Sequence, residues 1–223
     1  MIGITSNKCV IKMIKIIPVK YAESTLPESM VFCNGDKNKL FPIVFLVYLI
    51  ITGKKKILVD AGCETMPGFD MKKFIGPIKA LKRVGIQASE ITDVIITHAH
   101  HDHIECVKYF KNAVLHIQNE EYLNGKKYIP DDAHINVFND KWNITDGVRA
   151  IKIGGHSVGS CVVEVDNDNF IYVIAGDECY SRKCIENHIV TGCSYCLEKS
   201  AAFLEKYDKK KYKILCCHEE GGI

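Results

Sequence analysis

The stretch 97-THAHHDH-103 carries four of the chain's nine histidines, and an aspartate, within six consecutive residues. Imidazoles and a carboxylate at this density are too polar to fill a core. They read as a set of metal ligands at the end of the short apolar strand Asp93–Thr97, "DVIIT". In an extended segment residues two apart point to the same side, so His98 and His100 can share one ion. As the chain turns, Asp102 and His103 can face a second, while His101 falls out of phase and is expected to point away.

Further ligand types follow other apolar strands. "GGHSVGS" supplies His156 on a glycine-flanked turn, "VIAGDECY" supplies Asp177, and "KILCCHEE" supplies His218. Five histidines and two aspartates make two sites of hard to borderline donors, which suit Zn²⁺ and also Mn²⁺ or Fe²⁺. His134 and His188 are expected at the surface.

The rest of the chain sets the frame. Its 223 residues suffice for one α/β domain, and the absence of a low-complexity linker or internal repeat makes residues 1–223 a single domain. A net charge of +2 argues for no polyanionic partner, so no nucleic acid is expected; Lys54–Lys56 and Lys209–Lys211 read as solvated surface. "FPIVFLVYLII", Phe41–Ile51, is too short for a bilayer and reads as a buried strand, so no membrane is expected. The N-terminus shows no small-residue cleavage site, so a cytoplasmic location is expected. The odd count of 11 cysteines then suggests reduced thiols. Cys193-x-x-Cys196 has the spacing of half a zinc knuckle, which Cys216-Cys217 could complete in space.

Strands are expected over Met13–Val19, Phe41–Thr52, Lys56–Asp60, Asp93–Thr97, Val114–Gln118, Val148–Ile153, Cys161–Val165, Phe170–Ala175 and Tyr212–Cys217. Helical periods run over Asp70–Val84, Ile104–Phe110, Gln118–Gly125 and Cys196–Tyr207. Ser24–Leu40 and Gly125–Trp142 read as loops that line the pocket. This order fits neither a doubly wound sheet nor a simple barrel. It fits an α+β fold of four layers, an αββα sandwich of two mixed sheets with helices outside.

The motif set resembles the metallo-β-lactamase superfamily. "THAHHDH" is similar to its H-x-H-x-D-H signature, "LVDAG" (Leu58–Gly62) to its early aspartate strand, "GGHSVGS" to its glycine-histidine turn, and "AGDECY" to its bridging-aspartate strand. The resemblance runs from about Pro42 to His218. It implies that His98, His100 and His156 bind one metal, that Asp102, His103 and His218 bind the other, and that Asp177 bridges them. Asp60 would orient a ligand histidine. One departure stands out: Glu105-Cys106 stands where the family usually has Gly-Gly.

Among branches, the N-acyl homoserine lactonases are the most similar, with a tyrosine three residues after the bridging aspartate, here Tyr180, and a passage like "HIQNEEY" (His116–Tyr122). That resemblance implies a hydrolase of two divalent metal ions, Zn before Fe or Mn. A hydroxide shared by the ions would open an ester or lactone, with Asp102, Asp177 and Tyr180 catalytic. Two other readings stay open: a thioesterase or phosphodiesterase on the same metals, and a di-iron redox or sensing protein.

Overall fold

The apolar run Phe41–Ile51 lies inside a strand buried on both faces, and the two sheets of the molecule are organised around it. The computed structural model describes residues 14–167 and 169–222. The elements run β1 (Ile14–Pro27), α1 (Glu28–Val31), β2 (Leu40–Thr52), β3 (Lys55–Val59), α2 (Pro77–Arg83), β4 (Asp93–Ile96), α3 (His101–Ile104), β5 (Val114–Gln118) and α4 (Asn119–Gly125). There follow β6 (His134–Phe138), β7 (Lys141–Thr145), β8 (Val148–Lys152), β9 (Cys161–Asp166), β10 (Ile171–Ile174), α5 (Lys183–Glu186), α6 (Leu197–Tyr207) and β11 (Tyr212–Leu215).

One six-stranded sheet has the order β1-β2-β3-β4-β5-β6, antiparallel through β3 and parallel beyond. A five-stranded sheet has the order β11-β10-β9-β8-β7, antiparallel except for the β10–β11 pair. Alternate residues of β2 serve different layers, as strand geometry requires. Leu46, Tyr48 and Ile50 meet Val148, Ala150, Val163 and Leu215 in the core between the sheets. Val47 and Leu49 face the other way, into the core that includes Ala80 and Leu81 of α2. On the second sheet Phe203, Leu204 and Tyr207 of α6 are buried. The architecture is the expected sandwich of two mixed sheets with helices outside.

Several boundaries differ from the sequence reading. The expected helix Asp70–Val84 begins only at Pro77. Gly76 takes φ of 78°, a conformation glycine adopts freely, and a residue before proline avoids the helical region. Residues 70–76 are irregular instead, with Lys72 pairing Glu23 of β1 and Lys73 taking φ of 49°. The expected helix Ile104–Phe110 is α3 followed by a 3₁₀ stretch over Glu105–Tyr109. β1 runs on to Pro27, and the expected loop Gly125–Trp142 contains the whole of β6 and the start of β7. Met13, the first residue of the first expected strand, lies outside the described residues.

Candidate metal centre

Each expected ligand sits where a strand ends. β4 delivers His98 and His100 into the turn that opens α3, which carries Asp102 and His103. The turn after β8 carries His156, that after β10 carries Asp177, and that after β11 carries His218. All converge at one end of the sandwich. Donor atoms of His98, His100, His156 and Asp177 lie within 4.8 Å of one another, and so do those of Asp102, His103 and His218. The carboxylate of Asp177 stands between the two sets. Its Oδ1 is 3.1 Å from Nε2 of both His103 and His218, and its Oδ2 is 3.6 Å from Nε2 of His98 and 3.4 Å from that of His156.

The outer nitrogens explain which lone pairs face inward. His103 Nδ1 is 2.7 Å from Asp60 Oδ2, His218 Nδ1 is 3.0 Å from the Val44 carbonyl, and His98 Nδ1 is 3.1 Å from the Thr97 hydroxyl. Thr97 donates its own proton to Asp60 Oδ2, so its oxygen is left to accept from His98. Protons held on these three Nδ1 atoms leave each Nε2 lone pair free to bind. His103 Nε2 is buried without a hydrogen bond, although Asp177 is near. His98 Nε2 and His156 Nε2 both approach the single Nδ1 of His100, at 3.0 and 2.9 Å; a proton on that nitrogen can serve only one of them, and a cation at their centre relieves the crowding. The donor set therefore fits two borderline divalent ions. Asp60 holds its place at a cost: it sits at φ of 61°, the left-handed region, where its Oδ1 also accepts from the Thr97 N–H at 2.7 Å.

Protonation follows from burial and charge. Burial drives His98 well below the ordinary imidazole value and His156 down to about 4. Burial also penalises charge on His103 and His218, but Asp177 outweighs it and raises both. Burial alone would raise Asp177; the imidazoles around it, His103 first, hold it well below the usual carboxylate range.

Two buried carboxylates that the sequence reading did not single out hold the ligand turns. Glu178 accepts from the N–H groups of Gly155 and His156 at 3.0 and 3.1 Å and from the Ser160 hydroxyl. A side chain at Gly155 would strike Glu178 and Ser200, which accounts for that glycine. Glu121, from α4, accepts from the Ser157 hydroxyl at 2.7 Å, Gly159 N–H at 2.9 Å and Ala99 N–H at 2.7 Å. In "NEEY" neither of two adjacent glutamates is marked as the buried one; only the start of the helix at Asn119 fixes which turns inward.

The donors open into a cavity of about 320 Å³ walled by Leu26, Met30, Ile43, Phe45, Met66 and Phe69, with Tyr180 and Cys193 beside the donors. Tyr180 lies against His218, ring centroids 4.8 Å apart, and donates to Asp177 Oδ2 at 2.7 Å. His101 turns its Nδ1 to the Tyr128 hydroxyl, 3.1 Å away, and joins neither donor set. His134 and His188 are exposed, as expected. Among the described residues every cysteine is a free thiol and none joins a donor cluster, so the four-thiol knuckle does not form. Cys216 and Cys217 are buried instead, where they behave as small apolar groups. Glu105, in place of a family glycine, accepts from the N–H groups of Glu64 and Thr65 at 2.7 and 3.4 Å, and so fixes the segment that leads to Met66.

With the fold and donor geometry in place, comparison with known proteins gives the family. Residues 46–217 match the model of the metallo-beta-lactamase superfamily, and the chain belongs to it. It is similar to a probable metallo-hydrolase of Methanocaldococcus jannaschii, 28% identical over 73% of this chain and 70% of that one. It is also similar to an N-acyl homoserine lactonase of Bacillus thuringiensis, 24% identical over 80% of each chain. A solved N-acyl homoserine lactone hydrolase with the product N-hexanoyl-L-homoserine bound at its catalytic metal centre superposes with a TM-score of 0.80, covering 92% of both chains at 20% identity. Fold, family and converging donors together define a metal-dependent hydrolase.

Proposed function

We propose that the chain opens an uncharged ester or lactone carrying an apolar acyl group, using two divalent metal ions, zinc before iron or manganese. His98, His100 and His156 would hold one ion, Asp102, His103 and His218 the other, and Asp177 both. The observation that carries the substrate class is the cavity wall. Its described lining includes no lysine or arginine, and away from the donors it is almost wholly apolar. A phosphodiester or a glutathione-like thioester would bring anionic groups for which such a wall offers no partner, at a desolvation cost. An acyl chain gains about 0.8 kcal/mol per buried CH₂ there. The lactonase named among the relatives and the bound product in the solved hydrolase agree with that choice.

Ions held at these donors would supply Lewis acidity, polarising an acyl carbonyl and making water a nucleophile near neutral pH. The chain's own groups do the rest. Asp177 offers one oxygen to each donor set, so its carboxylate keeps the two sets in register. Addition of water across the acyl C–O bond requires one proton to travel from the water to the departing oxygen. Asp177 and Asp102, both at the cavity floor, are the carriers. The Tyr180 hydroxyl, now donated to Asp177, is placed to swing to a carbonyl or departing oxygen. The apolar wall excludes water from the acyl side.

A hydrolysis panel of acyl lactones, thioesters and phosphodiesters, run on protein of measured metal content, tests this reading. Lactones or simple esters should exceed the other classes in kcat/KM by at least about tenfold, roughly 1.4 kcal/mol of transition-state discrimination. Preference for a phosphodiester or a thioester would overturn it.

A further inference from the structure

We infer that Glu121 is a positioning residue that locks two metal-ligand turns together and thereby sets the affinity of one ion site, that of His98, His100 and His156, and not the other. The inference rests on the dinuclear reading above. Its basis is the division of labour between the two oxygens of one buried carboxylate. Glu121 is 1% exposed. Its Oε1 accepts from the Ser157 hydroxyl and the Gly159 N–H, both in the turn that carries His156. Its Oε2 accepts from the N–H of Ala99, the residue between His98 and His100. No other carboxylate among the described residues receives hydrogen bonds from both turns. The three imidazoles of one donor set thus come from two segments 56 residues apart, His100 to His156, with Glu121 joining them on the side away from the cavity.

The approach is close enough that the turn is built around this side chain. A Cβ on Gly159 would meet the Glu121 Cγ at 3.0 Å, as well as the Gln118 side chain. Gln118 also caps α4, accepting from Glu120 N–H at 2.7 Å and Glu121 N–H at 3.4 Å, so the glutamate is held from its own backbone. The second donor set depends on other partners, Asp60 and the Val44 carbonyl, and among the described residues no hydrogen bond joins it to Glu121. Partners outside the immediate ligands commonly change metal affinity by about ten- to a hundredfold.

The same logic separates Glu121 from its neighbour Glu178. All three donors to Glu178 fall on Oε1, and its Oε2 is buried without a partner. Glutamine at 178 therefore keeps every hydrogen bond, with its amide nitrogen where Oε2 now stands. Glutamine at 121 cannot. If its oxygen keeps Ser157 and Gly159, its amide N–H faces the N–H of Ala99, and the tie between the turns is lost while side-chain size is preserved.

The experiment is metal titration against a competing chelator on Glu121→Gln, Glu178→Gln and the parent chain, with circular dichroism and melting temperature recorded for each. The parent should hold two ions, and Glu178→Gln, whose three hydrogen bonds to the His156 turn can all survive, should shift either affinity by only a small fraction of the change in Glu121→Gln. Glu121→Gln should remain folded and weaken one ion by about tenfold or more while the other keeps its parent affinity. With Co²⁺ as the probe, the visible absorption of one site should be lost before that of the other. Equal affinity at both sites in Glu121→Gln overturns the proposal. So does simultaneous loss of both ions, which marks general loosening, or an equal effect in Glu178→Gln, which marks buried charge as the cause. A parent chain that holds fewer than two ions overturns the dinuclear reading, and this role with it.

Discussion

Asp177 is the residue on which the two donor sets depend together. Its oxygens face different sets, at 3.1 Å on one side and 3.4–3.6 Å on the other. Asparagine keeps the size but replaces one anionic oxygen with a nitrogen that cannot bind a cation. Asp177→Asn should therefore reduce both metal content and turnover, the latter by at least about a hundredfold given what metal activation supplies. Elemental analysis beside kinetics checks it, and full metal with parent activity would remove Asp177 from the site. Tyr180→Phe is the finer probe. It deletes the hydroxyl that donates to Asp177 Oδ2 and leaves the ring that lies on His218. Metal content should stay at the parent level, while kcat falls about ten- to a hundredfold, roughly 1.4–2.7 kcal/mol. KM should change less, since the hydroxyl matters most as charge develops on oxygen. Parent-like kcat would make Tyr180 a packing residue.

At the scale of elements, the strands that present these residues are tied by a half-buried ion pair, Lys55–Asp93, at the opposite end of β4. Asp93 is 2% exposed, and burial alone would raise its carboxyl. His116 Nε2 at 3.0 Å and Lys55 Nζ at 2.8 Å from both oxygens reverse that, lowering it to about 2. A carboxyl depressed on folding adds stability above its unfolded value, near 3.9, and loses it as pH falls through the folded one. The window is therefore about pH 4 to 2, and the contribution at neutral pH is about 2 kcal/mol. Asp93→Asn should cost about that much in urea unfolding at pH 7, and the gap to the parent should close by pH 2. A constant gap across that range would show that charge is not the cause. Elements also show what the sequence could and could not reveal. The convergence of His98, His100, Asp102, His103, His156, Asp177 and His218 was legible because rare residue types of metal-ligand character stand at set places after strands. β6 was not: "HINVF" is a five-residue edge strand whose brief alternation puts Ile135 and Val137 on the exposed side, the reverse of the buried apolar face by which a strand is recognised. Nor was the late start of α2, where a helical apolar period continued through Gly76-Pro77, a junction the backbone cannot follow. The cavity wall was half legible: Leu26 and Met30 come from the expected lining segment Ser24–Leu40, but Gly125–Trp142 supplies none of the described lining. Met66 and Phe69 are apolar like any core residue, and only the tertiary fold gathers them over the donors.

For the whole molecule, a metal centre at these donors would also be a fastener. Its donors come from the ends of strands in both sheets, β4 in one and β8, β10 and β11 in the other. Without an ion, the buried Asp177 is balanced only by protons on His103 and His218, while nitrogens of His98, His100 and His156 crowd together at 2.9–3.0 Å, an arrangement the unfolded chain does not have to make. Ions that bind the folded state alone stabilise it by RT ln(1 + [M]/Kd), about 2.7 kcal/mol per site at a hundredfold excess over Kd. For a chain of 223 residues a kilocalorie moves the melting temperature by about 2–4 °C. Stripping the metal with a chelator should thus lower the melting temperature by at least about 5 °C, and restoring Zn²⁺ should return it in a concentration-dependent way. Asp177→Asn supplies the control, because it weakens both sites at once: its response to Zn²⁺ should shrink to a small fraction of the parent's. A melting temperature indifferent to chelator and metal, in protein shown to bind two ions, would mean that the two sheets are held by their apolar core alone and that the centre serves chemistry without serving the fold.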